Sequence, residues 1–456
     1  MRLLYAIPIV LLPNTAHFPA DVSVGVSVSV LALAMLLGQR NPPHLARTGY
    51  IMPPLIALFL AMLVGFIAAQ WHDLTNAAAD LREAKVAVLF PFLYLAYLRC
   101  GLDLKGTRQL IVLVLLVAVA AGLEAVFQGL SFNLGEFSEL QRATGPFGQI
   151  KMANRAGVFF AMFLPMLAAV AIRPRQSQFL RLAAIAGSVI LATAILFTYS
   201  RQSYLIGLFA IMILLVWRSI PGALLVAVLL VATSATFLPK SVVDRVTQTQ
   251  QVDASGAVTL DVSTTSRFSI WNGTIDMLRD HPAGVGLGRF NEHIGDYTDY
   301  AGKDAHNGFL LTLAECGPFG LLALLWVFWR LWRLTRDLRH SPAAARPEMR
   351  TFEVGFTLTV VSMALGNMYG SPFFDSVVMA NFWILCGLME RYGRIKAHAA
   401  ELVAAHNPKP APIPAGQRFP LVARALPGRA KSREAQQFPL LARVFPGLAK
   451  RRVAPR

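Results

Sequence analysis

In this chain of 456 residues, the side chains that could bind a substrate or catalyse a reaction are several basic residues and one histidine. They occur in four short segments beside apolar runs: Arg142, Lys151 and Arg155 in RATGPFGQIKMANRAG, Arg201 in SRQS, Arg289 in GVGLGRF, and His306 in DAHNGF. The planar guanidinium of arginine binds phosphate oxygens in pairs, and a histidine with a pKa of about 6.5 accepts a proton at neutral pH. These residue types therefore predict a pyrophosphate-binding site with His306 as its general base.

Polar residues close to His306 in sequence are candidates to orient its ring. They are Asp304, Asn307 and Glu315. A metal site is not expected, because His281 and His293 are twelve residues apart and the chain has no HExxH or HxxxH spacing. The proposed chemistry needs no cofactor.

Each candidate also has a structural interpretation. An isolated arginine or lysine at a membrane edge often extends to the interface as an anchor, and this alternative stays open above all for Arg142 and Lys151. A histidine at a helix start can simply cap that helix. Arg201 and Arg289 lie in very short turns, where a long side chain that only anchors the protein at the interface is not expected. This favours a binding role for both.

The composition identifies the solvent that these residues meet. Hydrophobic residues make up 55% of the chain and charged residues only 15%. This balance excludes a soluble globular protein and a disordered one, and it predicts an integral membrane protein. Three cysteines, Cys100, Cys316 and Cys386, lie in or beside apolar runs, so no disulfide framework is expected.

Apolar runs that approach the length of a membrane span occur throughout the first 390 residues and predict an all-α protein with about twelve transmembrane helices. Lys and Arg favour one side when the runs alternate across the bilayer, so both termini are predicted to be cytoplasmic. The net charge of +17 follows from this asymmetry and from a basic tail, and nucleic-acid binding is not expected. The runs are 3–12, 22–37, 50–69, 84–98, 110–128, 156–172, 180–199, 203–217, 221–238, 308–332, 352–369 and 376–390.

These runs divide the chain into four regions. Residues 1–238 form transmembrane helices 1–9, 239–307 a large outward loop, 308–392 helices 10–12, and 393–456 a basic Pro/Ala/Arg-rich tail with a repeat at 417–431 and 436–450. Within the loop, the sequence predicts short helices at 242–249 and 266–279. Ser266 caps the second helix, whose apolar face consists of Ile270, Trp271, Ile275 and Leu278. The glycines Gly284, Gly286 and Gly288 then predict a tight turn.

Three of these segments together resemble a known family. SRQSYLIGL follows a span, SRFSIWNGTIDMLRDHPAGVGLGRF lies in the large loop, and HNGFLLTLAECGPFGLL leads into the next span. Their combination closely resembles the O-antigen ligase and polymerase superfamily from about Asn154 to Leu325. The sequence departs from the family pattern at Ala283, where a larger apolar residue is usual, and at Pro318. Both departures are expected to affect packing only.

The resemblance implies a metal-independent, inverting glycosyltransferase with a GT-C-like fold in the bacterial inner membrane. Such a ligase transfers O-antigen from undecaprenyl pyrophosphate to the lipid A-core oligosaccharide at the periplasmic face. His306, Arg289 and Arg201 match the family's motif histidine and two motif arginines. An O-antigen polymerase and a protein O-oligosaccharyltransferase use the same donor and stay open as alternatives. A polytopic transporter, the alternative from another class, predicts broken helices and related halves.

Overall fold

The computed structural model describes residues 2–38, 41–72, 77–132, 137–173, 177–247, 250–252, 258–260, 262–340 and 347–406. Residues Met1–Ala400 form one compact unit, and Glu401–Arg456 form a second unit, of which 401–406 are described. The tail repeat at 417–431 and 436–450 lies outside the described residues.

Helices dominate the described residues, as the composition predicts. Each of the twelve apolar runs coincides with a helix, and the boundaries differ by a few residues. The long helices are α1 Arg2–Leu11, α2 Ala20–Leu37, α4 Met52–His72, α5 Ala77–Leu98, α6 Leu104–Leu130, α7 Ala153–Ala171, α8 Gln178–Phe197, α9 Arg201–Arg218, α10 Ile220–Phe237, α14 Gly308–His340, α15 Pro347–Gly366 and α16 Ser376–His406. The remaining helices are α3 Pro43–Ala46, α11 Lys240–Thr247, α12 Val262–Asp280 and α13 Phe290–His293.

Seven helices in the described ranges are long and apolar enough to cross a membrane: α2, α4, α6, α7 with its preceding turn, α8, α9 and α14. Shorter apolar helices occur at Arg2–Leu11, Ala84–Leu98 and Ile220–Leu229. The chain is therefore consistent with an integral membrane protein, and the number twelve stays a prediction. The helices α15 and α16 fall short in apolarity because they carry buried polar groups, among them Glu353, Asn381 and Glu390.

The centre of the helical bundle consists of α7 and α16. Residues 156–169 of α7 and 376–393 of α16 are buried without interruption. A polar residue stands at one end of each helix: Arg155 in the first turn of α7 and Asp375 immediately before α16. The Arg155 Nη1 donates to Asp375 Oδ2 at 2.9 Å, so the two central helices meet at this end.

The tenth predicted span, 308–332, is not one straight helix. Gly317 adopts φ 65° and ψ −171°, which breaks α14 into the segments 308–316 and 318–340. Phe309 and Phe328 would stand about 28 Å apart along a straight helix. Their ring centroids lie 5.2 Å apart, so the first segment folds back along the second. Pro318 follows the break, where it needs no intrahelical hydrogen bond to its nitrogen.

The large outward connection contains both predicted helices, with corrections. The first is α11, and the second is α12, which begins at Val262, so Ser266 lies inside the helix and does not cap it. The buried face of α12 consists of Ile270, Gly273, Thr274 and Met277, whereas Ile275 is exposed. The face differs because Gly273 packs tightly on the segment at Tyr297 and Thr298.

Two further features of the chain, one in the outer connection and one at the end of α16, were not predicted from sequence. A short antiparallel hairpin pairs Gln250–Val252 with Val258–Leu260, with Gln251 opposite Thr259. In addition, α16 continues to His406, well past the predicted start of the tail at 393.

Candidate active site

The segment 304–308 presents His306 immediately before α14. His306 has φ 49°, and Tyr199 is the other non-glycine residue with a positive φ in the described ranges. Ser371 Oγ donates to Asp304 Oδ2 at 2.5 Å, and the Trp271 indole N–H donates to the Ala305 carbonyl at 2.9 Å. Such a conformation persists only where its surroundings hold it, and strained residues of this kind cluster at functional sites.

The environment of His306 keeps its ring neutral. Burial is the largest effect, and it lowers the pKa of His306 below 6.5. The positive charges of Arg267, Arg155 and Lys303 lower the pKa further, and Asp304 opposes them. A neutral imidazole is the form that accepts a proton, so His306 is in its reactive state at neutral pH.

Arg155 is held between two carboxylates beside this histidine. It donates to Asp375 as described above, and its Nη2 lies 3.9 Å from Asp304 Oδ2. Asp375 is itself fixed, because its Oδ1 accepts from the backbone N–H groups of Val377 and Val378 at the start of α16. The Arg155 side chain is still 39% exposed, which leaves part of the guanidinium accessible to a ligand.

Arg142 lies in a second cationic group at the same end of the bundle. Its Nε donates to the Thr198 carbonyl at 2.9 Å and its Nη2 to Asn154 Oδ1 at 2.6 Å. Burial lowers the pKa of Arg142 to about 10, Glu139 opposes the shift, and Arg245 and Arg267 add to it. The side chain is 9% exposed, so Arg142 is a buried residue of the site and does not extend into the interface as an anchor.

Arg245, from α11, completes this second group. Its Nη1 pairs with Glu139 Oε1 at 2.9 Å, its Nε donates to the Tyr199 carbonyl, and its guanidinium lies over the Phe137 ring. Arg267 lowers the pKa of both Arg142 and His306, so its charge acts on both groups. The outer connection thus adds cations to those of the helices.

Arg201 and Lys151 occupy different settings. Arg201 is the first residue of α9 and is half-buried, and its neighbour Gln202 donates to the Gly366 carbonyl at 2.6 Å. The connection after α15 also accepts from Gly308 through the carbonyls of Asn367 and Gly370, so Arg201 lies at the same end of the bundle as His306. Lys151 is exposed in the turn Ile150–Met152.

Arg289 is buried within the outer connection, with a side-chain exposure of 4%. Its Nη1 pairs with Glu292 at 3.0 Å. The predicted glycine turn precedes Arg289, and the structure inserts this turn between α4 and the break in α14, a placement that the sequence did not predict. Phe290, which follows Arg289, belongs to the same buried cluster as Ala305, the residue before His306.

The break in α14 explains how the glycine turn is held. The carbonyls of Ala314 and Glu315 accept from Val285 and Gly286, because the interrupted helix leaves them available. Leu287 donates to the Gly65 carbonyl of α4 at 3.0 Å. A Cβ at position 317 would lie 2.5 Å from the Ala283 carbonyl oxygen, so this close approach requires glycine at position 317.

Two of the predicted orienting residues have structural partners. The Asn307 Oδ1 accepts from the backbone N–H groups of Phe309 and Leu310 and so caps the start of α14. Glu315 is half-buried two turns into α14, and its carbonyl holds the glycine turn. Asp304 is the predicted orienting residue whose charge acts directly on the pKa of His306.

The sequence analysis missed several residues of this site. Arg267 is the second residue of the helix predicted at 266–279, and an arginine in a helix of the large loop was a usable signal. Asp375, Ser371 and Trp271 gave no such signal, because only tertiary contacts bring them to His306. Among the described residues, no three His, Cys, Asp or Glu side chains are grouped so that they could hold a metal ion.

The fold and the site are consistent with a polytopic helical membrane protein that carries a histidine among several cations. Residues 186–325 match the family model described as O-Antigen ligase, from within α8 to the second segment of α14. The match confirms the resemblance seen in the motifs and is consistent with a member of the O-antigen ligase and polymerase superfamily. Members of this family are glycosyltransferase-like enzymes. No curated protein matches the chain.

Proposed function

We propose that this protein transfers O-antigen polysaccharide from undecaprenyl pyrophosphate to the lipid A-core oligosaccharide, at the periplasmic face of the inner membrane. The observation that carries the proposal is the arrangement at His306. A base held neutral by burial and by arginines lies in the part of the chain that matches the O-antigen ligase family. Both substrates are lipid-linked, in keeping with a chain built for a bilayer.

In the proposed reaction, the acceptor hydroxyl oxygen attacks the anomeric carbon of the donor sugar. His306 takes the hydroxyl proton as the new C–O bond forms. The bond from the anomeric carbon to the pyrophosphate oxygen breaks, and the pyrophosphate leaves with the electron pair. Attack from the face opposite the leaving group inverts the anomeric configuration.

The arginines stabilise the charge that develops on the leaving group. Arg155 and Arg267 act on His306 and are therefore near the reacting atoms. Arg201, Arg289 and Arg142 are the remaining buried or half-buried candidates for contact with the pyrophosphate, and exposed Lys151 is a candidate at the rim. Cations already fixed by protein contacts need little reorganisation when the charge develops.

The test is a transfer assay with purified protein in detergent, with defined donor and acceptor. We expect wild-type protein to form ligated product in the presence of a chelator. His306→Ala should reduce turnover by about 10²–10⁴-fold, as for loss of a general base, while donor binding stays nearly unchanged. A His306→Ala variant that binds donor poorly but turns over normally at saturating donor would show that His306 is a pyrophosphate ligand.

A transporter remains the alternative from another class, and the broken helix α14 is the observation in its favour. In transporters, the N-terminal N–H groups of such half-helices face the anionic substrate. Here the Asn307 side chain and the carbonyls of Asn367 and Gly370 occupy the first N–H groups of the 308–316 segment. Product formation in detergent separates the two functions, because transport requires a sealed compartment.

A further inference from the structure

The peptide that precedes His306 accepts a hydrogen bond from a side chain of α12. The left-handed region is unfavourable for an L-residue, so the native φ of 49° at His306 needs external support. The angle φ is set by the peptide plane that joins Ala305 to His306. The carbonyl of this plane accepts from the Trp271 indole N–H, which therefore fixes the plane directly.

Water cannot easily replace the indole N–H as the donor to the Ala305 carbonyl. Ala305 is fully buried and packs with Phe290, Ile270 and Ala314. A buried carbonyl that loses its donor keeps the full cost of desolvation. Without the indole N–H, the plane can relieve this cost by rotating, and rotation moves the His306 side chain.

Trp271 is itself held from two sides. Its ring lies 5.6 Å from Phe268 on the same helix and 5.6 Å from Tyr369 in the connection between α15 and α16. The same connection binds Asp304 through Ser371 and Gly308 through two carbonyls. The indole thus stands where α12 and this connection meet the histidine segment.

We propose that Trp271 is a positioning residue for His306, and that its indole N–H holds the Ala305 carbonyl so that the imidazole faces the acceptor hydroxyl. The proposal rests on the proposed function. The contact also explains why α12 belongs to the site: it carries Arg267, which acts on the charge of His306, and Trp271, one helical turn later, which acts on its orientation.

The decisive variant is Trp271→Phe, which removes the N–H and keeps an aromatic ring at the contacts with Phe268 and Tyr369. A displacement of the base by about 1 Å costs up to 10²-fold in rate, so we expect kcat to fall by about 10–100-fold. The KM values for donor and acceptor should stay within about twofold. Trp326→Phe, at an exposed position of α14, is the matched control and should keep full activity.

The pH profile separates positioning from a general loss of structure. His306 faces Arg267 on α12, Arg155 on α7, Lys303 and Asp304 in its own segment, with Asp375 bound to Arg155. If the segment loosens in Trp271→Phe, the ring gains water and its pKa rises, so the acid limb of kcat moves to higher pH. Tyr369→Leu keeps the N–H but weakens its support, and should show a smaller change in the same direction.

Unchanged kcat and pH profile in Trp271→Phe, together with an inactive His306→Ala variant, would overturn the proposal and leave the proposed function intact. A raised KM at unchanged kcat would also overturn it, because Trp271 would then bind substrate. If His306→Ala retains full transfer, His306 is not the base and the positioning proposal falls with it. Absence of transfer by the wild-type protein would instead overturn the proposed function. Elution as a monodisperse species with the wild-type melting temperature shows that each variant is folded.

Discussion

At the scale of single residues, charges near His306 determine the pH at which the site works. Because burial and three cations lower the pKa of His306, we expect activity to fall with decreasing pH through a value below 6.5. Arg267→Gln removes one of these cations, so the pKa rises and the acid limb of kcat moves to higher pH. Asp304→Asn removes the opposing carboxylate and should move the limb to lower pH.

The control for this pair is Arg279→Gln on the same helix as Arg267. Arg279 is 74% exposed and pairs with Asp276, so its removal should leave the pH profile unchanged. Profiles of kcat measured between pH 5 and 8 at saturating substrates test the prediction. Equal shifts in Arg267→Gln and Arg279→Gln would show that His306 responds to net charge in general.

Arg289 is the residue for which binding and structural roles are easiest to separate. Removal of one preorganised electrostatic group costs roughly 10²–10³-fold in turnover, which we expect for Arg289→Ala. Arg289→Lys should recover activity only in part, because an ammonium cannot form the paired contacts of a guanidinium. Membrane insertion should be unaffected in both variants.

Glu292→Gln provides the control for Arg289. If Arg289 matters only through its ion pair, then loss of the partner carboxylate should reproduce the defect of Arg289→Ala. We expect Glu292→Gln to retain most activity, because Glu292 is 51% exposed and its loss leaves the guanidinium in place.

At the scale of elements, the glycine turn between α4 and α14 should not tolerate a side chain at position 286. Gly286 has φ 100°, and a Cβ there would lie 2.9 Å from the Ala69 Cα. Gly302 also has a positive φ, 71°, but a Cβ there would meet open space. Gly286→Ala therefore combines backbone strain with a clash, whereas Gly302→Ala has backbone strain alone.

We expect Gly286→Ala to lower the melting temperature in detergent and to reduce transfer, and Gly302→Ala to show a much smaller effect on both. The comparison isolates the close approach of the turn to α4, because the strain of a positive φ is common to both variants. Equal effects would mean that the packing of the turn on Ala69 contributes little.

At the scale of the whole molecule, the site belongs to a compact unit that does not include the tail. The histidine, its surrounding arginines and the contacts that hold them lie within Met1–Ala400. A chain that ends at His406 should therefore retain transfer activity in detergent. Loss of activity in this truncated chain, at unchanged folding, would assign a catalytic role to 407–456. A defect only in membranes would instead support contact of the basic tail with anionic lipid.

The two ends of the bundle should lie on opposite sides of the membrane. The second segment of α14 carries three exposed tryptophans, Trp326, Trp329 and Trp332. Near its end, Arg339 lies over the rings of Trp332 and Trp217. Such a belt is typical of a membrane interface. In cells whose outer membrane alone is permeabilised, an impermeant thiol reagent should label Lys303→Cys from the periplasm, and His340→Cys only after lysis. The reverse pattern would overturn the proposed orientation.

The sequence by itself predicted the helical membrane class, the helix positions to within a few residues, the glycine turn, and Arg155 among the charges near His306. These features follow from local composition and periodicity, which depend on residues close in the chain. Tertiary structure alone decided the fold-back of α14 at Gly317, the buried face of α12, and the contacts of Asp375, Ser371 and Trp271 around His306. Each of these depends on residues far apart in sequence: Trp271 reaches Ala305 because α12 packs on Tyr297 and Thr298, and Ser371 reaches Asp304 because α15 ends beside the start of α14. Hydrophobic periodicity marks which side of a helix is apolar, but packing selects the neighbour that covers it.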